Sequence, residues 1–136
     1  MPGSGTIVIV GGGVVGSSIA YHLRRDGHAG RVVVVERDPT YVRASSFLAM
    51  GGIRQQFSSA VNIQLAQYST RFYAEFDRAL RVPGHVPHAN FRQRGYLFLV
   101  DDGMADRFEA RVERQRRLGA HVERLTLDQL RALVPG

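Results

Sequence analysis

The sequence predicts an α/β fold that begins with a βαβ unit, and three observations near its start support this. Residues 6–10 are a short run of apolar, mostly β-branched side chains, as expected for a parallel strand buried on both faces. A glycine-rich turn at residues 11–16 follows directly, and residues 17–27 have the pattern of a helix ended by Gly27. Residues 31–36 then form a second apolar strand with an acid at its C-terminal end.

The spacing of the glycines is that of a GxGxxG turn, in which each glycine has a separate task. Gly11 permits the tight turn off the strand, Gly13 lets the backbone approach a pyrophosphate, and Gly16 lets the helix lie close to the strand. The N–H groups of Val14 and Val15 are unpaired donors at the positive end of the helix. An anion is therefore expected to bind there.

Glu36 lies 20 residues after Gly16, where a carboxylate can accept hydrogen bonds from ribose hydroxyls. The same carboxylate would repel a 2′-phosphate, which argues against NADP. Taken alone, Glu36 could be a solvated acid at a strand end. With the turn and the helix, it predicts a Rossmann-like unit that binds the ADP half of a dinucleotide, either FAD or NAD.

The segment after the second strand favours FAD. Residues 37–43 are predicted to form a loop, interrupted by Pro39. In residues 44–58, small side chains and the pair Gly51 and Gly52 would let the backbone pass close to a flat ring system. The alternative, judged from composition alone, is an ordinary glycine-rich loop.

The stretches GGGVVG, VVVVERD and ASSFLAMGGIRQQFS together resemble the start of the D-amino-acid oxidase and dehydrogenase (DAO) superfamily of FAD-dependent oxidoreductases. Sarcosine oxidases, glycine oxidases and dimethylglycine dehydrogenase are members. The stretch GGIRQQFS most resembles the group that contains an FAD-dependent oxidoreductase involved in mitochondrial complex I assembly. The resemblance implies a glutathione-reductase-type FAD/NAD(P)-binding fold for residues 1–84 and the start of an α+β substrate domain in residues 85–136.

The resemblance also implies how the chain would hold FAD. Some members attach the flavin through a His just before the glycine pair, whereas this chain has Leu48, Ala49 and Met50 there, so that bond is not expected. The implied cofactor-binding residues are Gly11, Gly13, Val14, Val15 and Gly16 at the pyrophosphate, Glu36 at the ribose, Arg37 beside the adenine, Ser45 and Ser46 at the phosphates or ribityl chain, and Gly51, Gly52 and Ile53 along the isoalloxazine.

For activity, the resemblance implies oxidation of a small amine or amino acid by hydride transfer to flavin, followed by imine hydrolysis. No catalytic residue is identified in this stretch, which we expect to be the inactive N-terminal part of a larger enzyme. Arg54 is the only local candidate for a substrate carboxylate, and a structural arginine is the simpler interpretation. The alternatives are a non-catalytic FAD-binding scaffold or assembly factor, and a nicotinamide-dependent reductase, which the loop at 44–58 disfavours.

The remaining segments are predicted from apolar spacing and from breaks at proline and glycine. An amphipathic helix at residues 104–118 would place Phe108, Val112, Gln115 and Leu118 on one stripe. His85 and His88 are interpreted as loop histidines rather than zinc ligands, because no acid or Cys stands close in sequence. The other predicted elements are one helix at 59–82, a boundary at 83–88, strands at 95–100 and 121–125, and a short helix at 127–133.

The composition points away from several classes of protein. The net charge is +6 and every one of the 18 basic residues is Arg, but these are interspersed with acids, so nucleic-acid binding is not expected. There is no Cys, and no run of about 20 apolar residues that could span a membrane. These features predict a soluble, cytoplasmic chain without a metal site.

Overall fold

The computed structural model describes residues 4–134, except for the side chain of Asp102. The chain forms two compact units, Met1–Gly52 and Ile53–Gly136. This division falls after Gly52, whereas the sequence places the boundary at residue 84. The extents of an FAD-binding part and a substrate part are matters of function and stay a prediction.

The first unit contains the predicted βαβ arrangement. Strand β1 (Ile7–Val10) leads into helix α1 (Val14–Arg25), and strand β2 (Val32–Val35) then pairs with β1 in parallel, with Ile7 opposite Val32. Helix α1 begins three residues before its predicted start, because the second half of the glycine turn already has helical backbone. The α/β class and the parallel pairing are thus confirmed.

The expectation that β1 is buried on both faces is wrong for the described residues. Ile9 is buried, but Val10 is 88% exposed and Val8 is also exposed. The reason is geometric, because side chains alternate between the two faces of a strand and helix α1 covers one face of this two-stranded sheet.

A short helix ends the regular part of the first unit. The loop after β2 contains Tyr41, which has a positive φ of 58°, and α2 (Ser45–Leu48) follows it. Residues 49–58 contain neither helix nor strand. The predicted loop at 37–43 is confirmed, whereas the four-residue helix is an addition to it.

The second unit is helical, and its first helix is broken. The predicted single helix at 59–82 is wrong, because the chain forms α3 (Ala60–Ala74) and then α4 (Phe76–Ala79). Glu75 between them has φ of −103° and ψ of 2°, and its N–H is shared by the carbonyls of Arg71 and Phe72. This local departure from the α-helical hydrogen-bond pattern separates the two helices.

The two C-terminal helices agree with prediction. Helix α5 (Ala105–Arg117) follows a 3₁₀ turn at Asp102–Met104, and α6 (Leu127–Leu133) begins at a capping box formed by Thr126 and Gln129. Helix α5 packs against α3, and the core residues Ile63, Gln115 and Ala120 are buried in this unit.

The two predicted strands at 95–100 and 121–125 are wrong, because a strand needs a hydrogen-bonded neighbour and neither segment pairs with one among the described residues. Side chains bind their carbonyl groups instead. Gln56 Nε2 donates to the Tyr96 carbonyl at 2.9 Å, and Arg116 Nε donates to the Val122 carbonyl at the same distance.

None of the helices in residues 4–134 combines the length and the apolar composition that crossing a lipid bilayer requires.

Candidate cofactor site

The glycine turn connects the two strands directly. Gly11 has a φ of 101°, a left-handed conformation that favours glycine, and its N–H donates to the Val35 carbonyl at 2.8 Å. At Gly16, a Cβ atom would overlap the Gly11 carbonyl oxygen and lie 3.2 Å from Ile9 Cγ2. The turn therefore needs glycine at both positions, which agrees with the roles predicted for them within the fold.

Gly13 differs from these two glycines, because a Cβ atom built on it meets no atom within 4 Å. It is the N-cap residue of α1, where no side chain caps the helix and no acid lies in the first turn. The N–H of Ser17 is the first to reach a helical carbonyl, that of Gly13. The N–H groups of Val14, Val15 and Gly16 thus precede the first helical hydrogen bond at the positive end of the helix dipole, and Val14 and Val15 are exposed.

Glu36 points towards this turn. Its carboxylate accepts hydrogen bonds from the N–H of Gly12 at 2.7 Å and from the N–H of Asp38 at 2.9 Å. The backbone N–H groups of Asp38 and Gly12 lower the pKa of the Glu36 carboxyl below its usual value. Glu36 is therefore ionised at neutral pH, and its carboxylate remains partly exposed beside the turn.

Gly12 is a site residue that the sequence analysis missed. A Cβ atom on it would lie 2.8 Å from the Tyr41 hydroxyl and 3.2 Å from Glu36 Cβ. Its carbonyl accepts a 2.7 Å hydrogen bond from the Ser17 hydroxyl. The GxGxxG pattern allows any residue at this position. The feature of the sequence that could have identified Gly12 was the run of three consecutive glycines.

The other predicted cofactor residues lie outside the glycine turn and are exposed or partly exposed. Arg37 is exposed directly after Glu36, and Ser45 and Ser46 are exposed at the start of α2. Gly51, with a φ of 71°, and Gly52 are exposed at the end of the first unit, while Ile53 begins the second. The role of these six residues in holding FAD stays a prediction.

In the second unit, Arg54 lies over two aromatic rings. Its guanidinium carbon is 4.8 Å from the centroid of the Phe57 ring and 5.5 Å from that of Phe98. The Tyr96 ring stacks on Phe98 with centroids 5.9 Å apart. In the described part of the chain Arg54 forms no ion pair. Its described electrostatic contacts are the cation–π contacts with the rings of Phe57 and Phe98.

Within residues 4–134, no group of three or more His, Cys, Asp or Glu side chains comes together, and the interpretation of His85 and His88 as loop histidines stays a prediction. His88 Nδ1 lies 3.4 Å from Asp77 Oδ2, and the Asp77 carboxylate also accepts a hydrogen bond from the N–H of Ala89. Asp77 therefore connects the loop at residues 88–89 back to helix α4.

The geometry of the first unit suits a ligand that has both an anionic group and hydroxyls. The uncapped N-terminus of α1 offers N–H donors beside Gly13, and Glu36 offers acceptor lone pairs next to them. A diphosphate joined to a ribose combines these two requirements. The residues present thus fit the adenosine diphosphate half of a dinucleotide.

Residues 6–136 match the family of FAD dependent oxidoreductases, DAO. The chain belongs to this family. Its cofactor is FAD, in agreement with the cofactor predicted from the sequence.

Several animal proteins are similar to almost all of this chain. It is 44% identical to the FAD-dependent oxidoreductase domain-containing protein 1 of Xenopus laevis over 98% of its length, and equally similar to that of Bos taurus. Over 57% of the chain it is 31% identical to the mitochondrial pyruvate dehydrogenase phosphatase regulatory subunit of Mus musculus.

The chain covers 28% of the length of the Xenopus and Bos relatives and 9% of the length of the Mus regulatory subunit. It therefore spans about a quarter of the length of the Xenopus and Bos relatives. No solved structure matches it significantly.

Proposed function

We propose that this flavoprotein oxidises a small amine or amino acid, and that residues 4–52 hold the ADP half of FAD. The observation that carries the cofactor assignment is the Glu36 carboxylate beside the open N-terminus of α1. The family match supports a two-electron oxidation, and the exposed guanidinium of Arg54, which forms no ion pair among the described residues, supports a substrate that carries a carboxylate.

The proposed cofactor contacts follow the chemistry of each group. The N–H groups of Val14 and Val15 donate to the pyrophosphate, and open space at Gly13 lets the backbone approach it. Glu36 keeps acceptor capacity for the ribose hydroxyls after binding Gly12 and Asp38. The predicted contacts of Arg37, Ser45, Ser46, Gly51, Gly52 and Ile53 complete the proposed FAD site, within a glutathione-reductase-type fold.

When bound, FAD supplies a two-electron acceptor for the hydride that leaves the amine-bearing carbon. The amine nitrogen gives up one proton to water, and the imine that remains is hydrolysed to a carbonyl compound and either ammonia or an amine. The contribution of this chain is to hold the cofactor and to bind the substrate. Arg54 would bind the substrate carboxylate, because a guanidinium has two parallel N–H donors that match the two oxygens of a carboxylate.

The proposal is tested with the purified holoprotein under anaerobic conditions. We expect N-methylglycine or another small amino acid to bleach the visible flavin absorbance, whereas NADH-linked chemistry would give no such flavin band. If no compound in a panel of amines and amino acids reduces the flavin, the assignment as an amine oxidase or dehydrogenase is wrong.

The role of Arg54 is tested with two substrates that differ in one group. In assays with an added dye that accepts electrons from the reduced flavin, R54Q should raise KM for N-methylglycine by about 10- to 100-fold, the value of a charge-assisted hydrogen bond, with little change in kcat. N-Methylethylamine, in which a methyl replaces the carboxylate, should be oxidised equally by wild type and R54Q. An equal loss with both compounds would assign Arg54 a structural role.

A second candidate function is favoured by one comparison, the similarity to a protein named as a regulatory subunit. In this alternative the chain binds FAD as a scaffold or assembly factor and oxidises no amine. It predicts a tightly held flavin that no amine bleaches, which separates it from the first proposal. The predicted cytoplasmic location stays a prediction, and that relative is named as mitochondrial.

A further inference from the structure

We propose that Gln115 is a positioning residue that sets the orientation of Arg54, acting through Phe57. The inference rests on the proposed function, in which Arg54 binds the substrate carboxylate. It concerns the second unit alone, where helix α5 contacts the segment that carries Arg54.

Gln115 is a polar residue in an otherwise apolar position. It lies on the same face of α5 as Phe108 and Val112, in line with Leu118 at the C-cap, and it is only 5% exposed. A buried amide is unfavourable unless it is hydrogen-bonded, and Gln115 Nε2 donates to the carbonyl of Phe57 at 3.0 Å. The partner of this buried side chain is therefore the backbone of the Arg54 segment.

The segment at residues 53–58 depends on such contacts, because it contains neither helix nor strand. Its one described internal backbone bond runs from the Phe57 N–H to the Gln55 carbonyl. The neighbouring residue of α5, Arg114, donates to the Ser58 carbonyl at 3.0 Å. Helix α5 thus binds two consecutive carbonyl groups, and the backbone at Phe57 is fixed from one side.

The position of Phe57 then determines the surroundings of Arg54. The guanidinium lies 4.8 Å from the centroid of the Phe57 ring, and this is the nearer of its two ring contacts. On the other side, Gln56 Nε2 binds the Tyr96 carbonyl two residues before Phe98. A long, exposed arginine held in this way loses few further conformations when it binds an anion.

A purely structural role for Gln115 makes a different prediction. If the side chain only fills space, Met of similar volume should leave the surroundings of Arg54 unchanged. If instead the hydrogen bond positions Phe57, both variants that remove the amide donor should alter the surroundings of Arg54. These variants are Q115M and the isosteric Q115E. Gln67 supplies the matched control, because its Nε2 donates to the Leu118 carbonyl at 2.9 Å and not to the Arg54 segment.

The test is the NMR signal of the Arg54 Nε–Hε group in the ¹⁵N-labelled chain, assigned by its loss in R54Q. Ring currents from Phe57 and Phe98 should shift this proton upfield in the wild type. The signal should move to the position of a free arginine in Q115M and Q115E, and should not move in Q67M. An unchanged signal in folded Q115M and Q115E would overturn the proposal.

Far-UV circular dichroism establishes that each variant is folded. If neither Gln115 variant folds, nuclear Overhauser effects measured on the wild type test the proposal instead. Nuclear Overhauser effects from the Arg54 Hε to the Phe57 ring, and from the Gln115 side-chain amide to the Phe57 backbone, are expected, and the absence of either contradicts the proposed linkage.

Kinetics connects this positioning to the proposed function. In the holoprotein, Q115M should raise KM for N-methylglycine by roughly 3- to 10-fold with kcat nearly unchanged, since a small misplacement weakens binding of one group. If R54Q itself leaves this KM unchanged, the proposed carboxylate site is wrong while the NMR result still stands. If R54Q raises KM but Q115M changes neither KM nor the signal, the positioning role is wrong and the proposed function is unaffected.

Discussion

The N–H of Gly12 donates a 2.7 Å hydrogen bond to the carboxylate of Glu36, which joins the middle of the glycine turn to the acid that follows β2. The Ser17 hydroxyl holds the carbonyl of the same glycine at 2.7 Å. The conformation of the turn and the direction of the Glu36 side chain are therefore coupled. A change at any of these three residues should affect both the diphosphate and the ribose parts of the proposed site.

The first prediction concerns Gly13, where a larger side chain should leave the stability of the fold unchanged and lower the affinity for FAD. A Cβ atom there meets nothing within 4 Å and the backbone φ is −63°, so G13V should unfold at a denaturant concentration close to that of wild type. Its side chain would nonetheless occupy the open space at the helix end. We expect FAD affinity to fall by at least about tenfold, or 1.4 kcal/mol, in an absorbance titration.

Gly5 provides the control for this substitution, because a Cβ atom there also meets nothing within 4 Å. The variant G5V should bind FAD as the wild type does. Full retention of FAD by G13V would show that the pyrophosphate does not lie at this helix end.

The second prediction follows from the lowered pKa of Glu36. Because the N–H groups of Asp38 and Gly12 favour the ionised form, the folded-state pKa lies below the ordinary value of about 4.3. The contribution of the Glu36 carboxylate to FAD binding is thus fully present above that ordinary pKa. It is lost as the pH falls through the lowered pKa. The ratio of the FAD dissociation constants of E36Q and wild type should be constant near neutral pH and fall towards one as the pH drops through the lowered pKa of Glu36.

Asp26 serves as the control titration, since the side chain of Arg25 lowers the pKa of its carboxyl through a 2.8 Å hydrogen bond far from the turn. The variant D26N should leave the pH dependence of FAD binding as it is in wild type. If the E36Q ratio stays constant through the acid range, Glu36 does not contact the cofactor.

The third prediction concerns the core of the second unit. Ile63 on α3 is completely buried, so I63A should lower the free energy of unfolding by about 2–5 kcal/mol through lost apolar burial and a new cavity. Val61 on the same helix is 62% exposed, and V61A should change the free energy by less than about 0.5 kcal/mol. Urea denaturation followed by circular dichroism measures both, and similar losses would show that α3 packs by a different face.

Local features of the sequence were sufficient for the βαβ arrangement of the first unit. Gly11 and Gly16 each meet a steric requirement within a few residues, and the apolar runs at β1 and β2 pair as predicted. The helices α5 and α6 were also predictable, because their periodicity and the Thr126 capping box are local.

Two of the failures concern interactions between distant residues, and a third is a local break in a helix. Residues 95–100 have a strand-like composition, but strand formation depends on a partner, and Tyr96 is bound by the Gln56 side chain instead. Gln115 was placed on the correct helix face, yet its partner Phe57 lies 58 residues away and no local pattern indicates it. The break at Glu75 carries no proline or glycine, so nothing in the sequence marked it.

The double attachment of Gly12 has a consequence for how the cofactor binds. Since Ser17 and Glu36 already hold this peptide, the turn keeps its shape before any ligand arrives and little conformational entropy remains to be lost. Association should then proceed in a single kinetic phase without a slow rearrangement of the chain. Differences in affinity among variants of the turn should accordingly appear in the dissociation rate constant.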